Sequence, residues 1–539
     1  MSTLKRIDNF LKVKDDPSDD AGKTHSRWSN ADLDPATPDK RIWNMVDLLA
    51  LPPTQGPGTW TSGSSLIALG FTAREAIPFA FAGGFFCGIV AYFNARAGAR
   101  TGCCFPVLIR SSFGPWAGLV PVLTRALIGL IWLLVLTFQA ADVVTLCIAA
   151  VAPSYNTAIK NVFPESSNVT TQQLVSMIIY WIFQTGLSLV PMQYQKYLFN
   201  IKGVICPTTF VALLIWGAVV TGSDSPYLSG TSTYSTNRAM AVLTGINSMA
   251  SVASTIAVNI PDFSRFQRPT RFAWTQLIIM PISACVPVAC GVICTAGVYS
   301  KYGVDGAWQP ADLIVNFGSR AVRFFVGASF LLSYVGVNIS ANGCAFANDF
   351  SSIFPRYFNY RRTTGFAACL CFIAQPWLIL RNASAFLAFL SAYGTFLSSI
   401  AAIMVVDFWV IRGGKIDIRE FFKGDESIYW YWHGINWRAC AAWVISIAPN
   451  LPGLANAINP SIASVNPYTY CVSWFWGTFW GGGLYWLFCT LFPPHDSFVA
   501  EAVFRMDGGS GPAWAVGEVY SDCKVDEEAS YIVPAPELK

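Results

Sequence analysis

Charge is scarce in this sequence. Only 12% of its 539 residues are Asp, Glu, Lys or Arg, whereas 53% are hydrophobic. A soluble domain carries about 25% charged residues, so an ordinary soluble protein is excluded. Histidine is scarcer still. His25, His433 and His495 all fall in tails or loops, which excludes a buried histidine proton relay. No G-x-x-x-x-G-K-[ST] phosphate loop occurs, which argues against ATP-driven pumping. No His/Cys spacing suggests zinc or another metal, no motif implies a cofactor, and a membrane enzyme is the least expected class. The fifteen cysteines lie mostly inside apolar runs, where a thiol behaves as a small hydrophobe, so no disulfide framework is expected. The net charge of +4 is dispersed over short loops rather than gathered on one face, so nucleic acid is not an expected partner.

Long apolar runs are abundant. They cover 44–70, 75–94, 117–151, 171–191, 198–221, 239–261, 273–299, 321–347, 364–380, 384–411, 436–457 and 470–492. Each is read as a helix crossing about 30 Å of hydrocarbon, giving a twelve-span all-α membrane protein. The expected organisation is a tail over 1–43, a transporter domain over 44–492 and a tail over 493–539. The first tail has no apolar core and is not a signal peptide. Twelve spans put both tails on one side. Sixteen lysines and arginines, Lys196, Lys202 and Arg110 among them, are assigned to tail-side loops, against seven opposite. The positive-inside rule then predicts cytoplasmic tails. The plasma membrane is the expected location, with glycosylation sequons at 168–170 and 382–384 on the outer side.

The first run contradicts itself. "PPTQGPG", residues 52–58, puts three prolines and two glycines at membrane depth. Every backbone donor and acceptor in hydrocarbon must be satisfied internally, and proline removes donors while glycine unwinds helices. Broken helices of this kind line the central sites of secondary transporters, where freed backbone groups face solute and ion. Thr54 and Gln55 lie inside the break and are candidate binding residues. The sixth run, "LTGINSMASVASTIAVNIPDFSRF", is a candidate partner break, although its small residues equally suit close helix packing.

Asn338, Asn342 and Asp349 recur at +4 and +7 on one stripe of the eighth run, where lipid exposure would be costly. An asparagine amide offers a donor and an acceptor to a nucleobase edge. Asp47 precedes the first break, and Asp142 lies in the third run. Intramembrane carboxylates are functional candidates, Asp47 for proton coupling and either one as a counter-charge to a cationic solute.

"NADLDPATPDKRIWN" (30–44), "NARAGARTGCCFPVLIRSSFG" (94–114), "NIPDFSRF" (259–266), "NISANGCAFANDFSSIFPRYFNYRR" (338–362) and "GINWRACAAW" (434–443) resemble, in order, the signatures of the nucleobase–cation symporter family one. The fungal uracil, allantoin and uridine permease branch is the most similar. The resemblance implies the leucine-transporter fold, with two inverted five-helix repeats, two extra helices, and breaks in the first and sixth spans. It also implies proton-coupled uptake of a nucleobase-like solute.

By the same resemblance, Trp132 matches a tryptophan that stacks on the solute. The glutamine expected four residues later is Leu136, and Gln139, further along the same face, is the candidate substitute. Ala253 stands where the family has tryptophan or lysine, which widens the site. Asn342 matches a substrate-binding asparagine, Tyr393 a gating position, and Asp349 an acidic residue implicated in proton coupling. Competing structural roles are a packing tryptophan, an inter-helix amide bond, and a carboxylate paired with a nearby arginine. Two other functions stay open: transport of thiamine or nicotinamide riboside, and a sensor that binds without transport.

Overall fold

The computed structural model describes residues 12–13, 27–51, 56–222, 225–234, 237–268, 270–304, 307–371, 375–380, 383–459, 461–462 and 467–506. Among them there are helices and three isolated bridges, and no strand. Eight helices are long and apolar enough to cross a membrane, from Ala73–Thr101 to Trp437–Ile458. Shorter or interrupted helices at Met45–Ala50 with Gly56–Ala68, Thr171–Ser188, Tyr360–Leu370 and Ser473–Leu491 supply the first, fourth, ninth and twelfth spans.

The spans pack as two interleaved sets. Span two (Ala73–Thr101) runs along span six (Arg238–Ser264) and span seven (Thr275–Tyr302), and the second half of span one lies on span seven. Span three (Leu119–Val151) packs against span four (Thr171–Ser188) and span eight (Arg320–Val337, continuing as Cys344–Ile353). Span five (Lys196–Val220) bridges spans seven and eight, as span ten (Ala383–Val405) bridges spans six and twelve. Glycine permits the tightest of these crossings. A Cβ on Gly83 would run into the backbone of Met249 and Ala250 in span six, and one on Gly84 into that of span seven.

Span one is discontinuous. Its first half, Met45–Ala50, starts at a capping box in which Asn44 and Asp47 bond each other's backbone. The helix resumes at Gly56 and continues to Ala68. Thr54 and Gln55 lie outside the described residues, as does Asn382 of the second sequon.

Span six corrects the expectation of a second break. It is one helix from Arg238 to Ser264. A single Gly245 does not unwind it, and its first proline is Pro261. Its hydroxyls fold back on the helix itself, Ser248 onto the Thr244 carbonyl at 2.8 Å and Ser254 onto that of Ser251 at 2.6 Å. Asn247 bonds across to Ser473 and the Trp474 N–H, so the polar run is used within the helix and for inter-span contacts without unwinding it. Irregularity lies instead in span eight, where Asn338–Gly343 form a π-helical turn.

Residues 27–44 are laced beneath the tail-side ends of the spans. Trp28, Leu33, Arg41 and Trp43 are buried there. Asn30 donates to the carbonyls of Pro355 and Phe358, both 3.0 Å away, and Asp32 accepts from the Tyr360 N–H at 2.8 Å. Arg265, at the end of span six, donates to the Asp32 carbonyl at 2.8 Å.

Candidate functional site

The site forms where span one resumes. Gly58, in the first turn after the break, lies in van der Waals reach of the Trp132 ring in span three. From span ten, Phe386, Phe389 and Tyr393 close around the same indole at centroid distances of 5.9, 5.6 and 6.1 Å. Trp132 is therefore an interior residue, not a lipid-facing one. Gln139, two turns along span three, approaches Thr61 of span one with its amide nitrogen at 3.4 Å. Among the described residues, three buried polar atoms on this wall lack a hydrogen bond of normal geometry: Gln139 Oε1, and Trp132 Nε1 and Tyr393 Oη, which interact only weakly with each other. Burying polar atoms unpaired costs roughly 1–3 kcal/mol each, so such groups call for a ligand or water.

The asparagines of span eight form a ladder. Asn342 Nδ2 donates to Asn338 Oδ1 at 2.8 Å, and Asn338 Nδ2 donates to Gln184 Oε1 of span four at 2.7 Å. Both asparagines sit in the π turn, which re-aims successive side chains. Ala253 is buried in span six.

Asp349 is paired. Arg125 Nε and Nη2 meet its two oxygens at 2.7 and 2.5 Å, a bidentate bridge between spans three and eight. The same guanidinium stands 2.9 Å from Asp262 Oδ2, an ion pair without hydrogen-bond alignment, and 3.0 Å from Asn259 Oδ1. It also lies 4.0 Å over the Phe105 ring. Asn259 in turn donates to the Ala341 carbonyl at 2.8 Å, which ties the cluster to the π turn. A small enclosed space lies beside it, bordered by Leu51, Asn259, Ile260, Ser340 and Ala341.

The other two carboxylates are already engaged. Asp47 accepts from the Asn44 N–H and from Asn200 Nδ2, both at 2.8 Å, with Lys196 Nζ at 3.8 Å. Asp142 accepts from Gln173 Nε2 at 2.7 Å, away from the indole wall. Cys103 and Cys104 are buried free thiols in the turn after span two, where burial pushes them up to about 12 and about 11. Among the described residues, no group of three or more His, Cys, Asp or Glu could hold a metal.

Several charged residues of the interior were not singled out from the sequence, among them Asp262, Asp407, Arg412, Arg125 and Lys202. Arg125 lies inside the third apolar run, and a charge within such a run is itself the signal. Lys202, counted among the loop cations, instead lies in the second turn of span five and is buried.

A broken first span, an interior aromatic wall and a buried charge cluster between crossing helices define a polytopic membrane transporter. Residues 39–477 match the family described as "Permease for cytosine/purines, uracil, thiamine, allantoin". The chain belongs to this family. It is 30% identical to the uracil permease of Saccharomyces cerevisiae, across 79% of this chain and 69% of that protein. It is 29% identical to the allantoin permease of the same yeast, across 88% and 78%. The inward-facing structure of Mhp1 superposes with a TM-score of 0.68 at 18% identity, covering 89% of this chain and 97% of Mhp1. The architecture is thus the twelve-helix leucine-transporter fold.

Proposed function

We propose that the protein is a proton-coupled carrier that takes up a flat, nucleobase-like solute of the uracil, allantoin or uridine type by alternating access. The observation that carries this reading is the indole wall. An interior tryptophan beside the span-one break offers a stacking face, and Trp132 Nε1, Tyr393 Oη and Gln139 Oε1, none of them in a hydrogen bond of normal geometry, border it with hydrogen-bonding groups. Asn342 supplies an amide at the π turn, and Ala253 leaves space where a larger side chain would narrow the site; Thr54 and Gln55 remain candidates on their sequence position alone. Tyr393 and its neighbours in span ten gate the wall from the outer side. The names of the yeast relatives support the solute class.

Asp349 is the coupling carboxylate in this reading. Protonation removes its charge and releases the bidentate grip of Arg125, which joins spans three and eight. Asp47 caps the first half-helix and holds Asn200. Both tails face the cytoplasm across the plasma membrane.

Uptake in a host without nucleobase carriers tests the reading. Labelled uracil, allantoin, uridine and thiamine are supplied separately, each with and without a protonophore. Protonophore-sensitive uptake of a neutral ring compound is expected, falling at least about tenfold in Trp132→Ala and Asn342→Ala. Uptake of thiamine alone would move the solute to the cationic class. Protein at the cell surface that moves none of the four would overturn the reading.

A further inference from the structure

Lys202 has no part in the site described above. Its side chain is 1% exposed, and Nζ has no hydrogen-bond partner. It lies where three elements meet. The next residue, Gly203, packs on Ala50, the last helical residue before the span-one break, so closely that a Cβ on Gly203 would stand 3.3 Å from the Ala50 Cβ. Two turns further along span five, Phe210 packs on Gly56, the first helical residue after the break. Across from both, the ammonium end of Lys202 presses on Gly336 of span eight so closely that any Cβ there would overlap Cδ, Cε and Nζ. Ser333 Oγ, one turn away on span eight, is also buried without a hydrogen bond.

The neighbouring ionisable groups do not supply a counter-charge. On the first half of span one, Asp47 is held by Asn44, Asn200 and Lys196. On span five itself, Cys206 donates to the Ser329 carbonyl, and from span seven Cys290 donates to that of Phe210. Span eight presents a glycine and a hydroxyl. A buried ammonium with neither acceptor nor counter-charge among the described residues is costly, and intramembrane lysines of this kind mark proton or ion pathways. The ring contact with Phe199, at 5.5 Å, offsets only part of that cost.

The geometry points to Lys202 as a second proton-exchanging group, a titratable cation at the joint of spans one, five and eight. This deepens the proposed function and rests on it. A proton from water on the outer side adds to the Nζ lone pair in one conformation and leaves to the cytoplasmic side in the other. No other bond changes. The chemistry is opposite to that of Asp349, since the proton creates charge at Lys202 and removes it at the carboxylate. Gly336 leaves the ammonium its room, and the Ala50–Gly203 and Phe210–Gly56 contacts make that room depend on both halves of span one.

The test compares the parent protein with Lys202→Met and Lys202→Arg in sealed vesicles, using whichever of uracil, allantoin or uridine the parent moves fastest. Lys202→Met should lose accumulation driven by a pH gradient by at least about tenfold. It should keep exchange of internal for external solute within about twofold. Lys202→Arg, which cannot release its proton, should lose both. Accumulation with an unchanged pH profile in Lys202→Met would overturn the assignment. So would loss of exchange in step with accumulation, which marks a structural residue. A solute-free readout separates this from the nature of the cargo. The unfolding temperature of the purified parent should differ between about pH 6 and about pH 9 by more than that of Lys202→Met. If the parent moves none of the solutes, the proposed function fails, and this comparison alone decides the lysine. Equal differences in the two proteins would refute its role.

Discussion

Arg125 holds more of the interior together than any other single side chain of the site. It joins Asp349 of span eight, Asp262 and Asn259 of span six, and the Phe105 ring of the short helix Phe105–Phe113 between spans two and three. Removing one partner of a buried ion pair costs about 3–5 kcal/mol, because the other charge stays buried and unpaired. Arg125→Met strands two carboxylates, whereas Asp349→Asn leaves the arginine with Asp262. The expected order of stability is parent, then Asp349→Asn, then Arg125→Met, read as unfolding temperature in detergent or abundance at the cell surface. An Arg125→Met protein as stable as Asp349→Asn would show that the Asp262 contact contributes little.

At the scale of the element, the π turn Asn338–Gly343 is the feature with the clearest consequence. A π turn holds one residue more than the regular helix around it, with both flanks kept in register. Deleting Ser340 should let span eight close into a continuous α-helix and leave Asp349 facing Arg125. Asn338 and Asn342 would no longer share their ladder. The expected outcome is a folded variant, with an unfolding temperature within a few degrees of the parent's, that no longer takes up solute. A variant that unfolds would show the turn to be needed for packing. This element was not legible in the sequence, because a one-residue surplus carries no punctuating residue. The interruption of span one was legible, since proline and glycine change the backbone whatever surrounds them, but its extent was not: Gly56, Pro57 and Gly58, expected inside the break, form the first turn of the resumed helix. Span six shows the opposite error. Small polar residues suggested unwinding, but their hydroxyls bond their own helix and their size serves packing.

Over the whole molecule, the apolar runs and the ordered signatures were enough to read the family and the number of spans. They could not assign every charge. Lys202 is assigned from sequence to a tail-side loop although it falls inside the run 198–221, because a charge near the end of a run reads as lying at the membrane surface; the packing of span five against spans seven and eight buries it. The wall of Trp132 was legible only as a position, since its aromatic neighbours come from span ten, more than two hundred residues away in sequence. The distribution of lysine and arginine supports the proposed orientation with both tails cytoplasmic. An epitope attached to either terminus should become accessible to antibody only after the cell membrane is permeabilised, and labelling of intact cells would reverse the assignment of sides.

The laced segment 27–44 has a further meaning for motion. Asn30 and Asp32 are bonded to the turn after span eight, and Arg265 at the foot of span six is bonded to the Asp32 carbonyl. Spans six and eight belong to different packing sets, so any parting of the two sets on this side must strain or break those bonds. The door on the tail side is therefore latched by the chain's own leader, and whatever binds or modifies that leader holds the key to how often it opens.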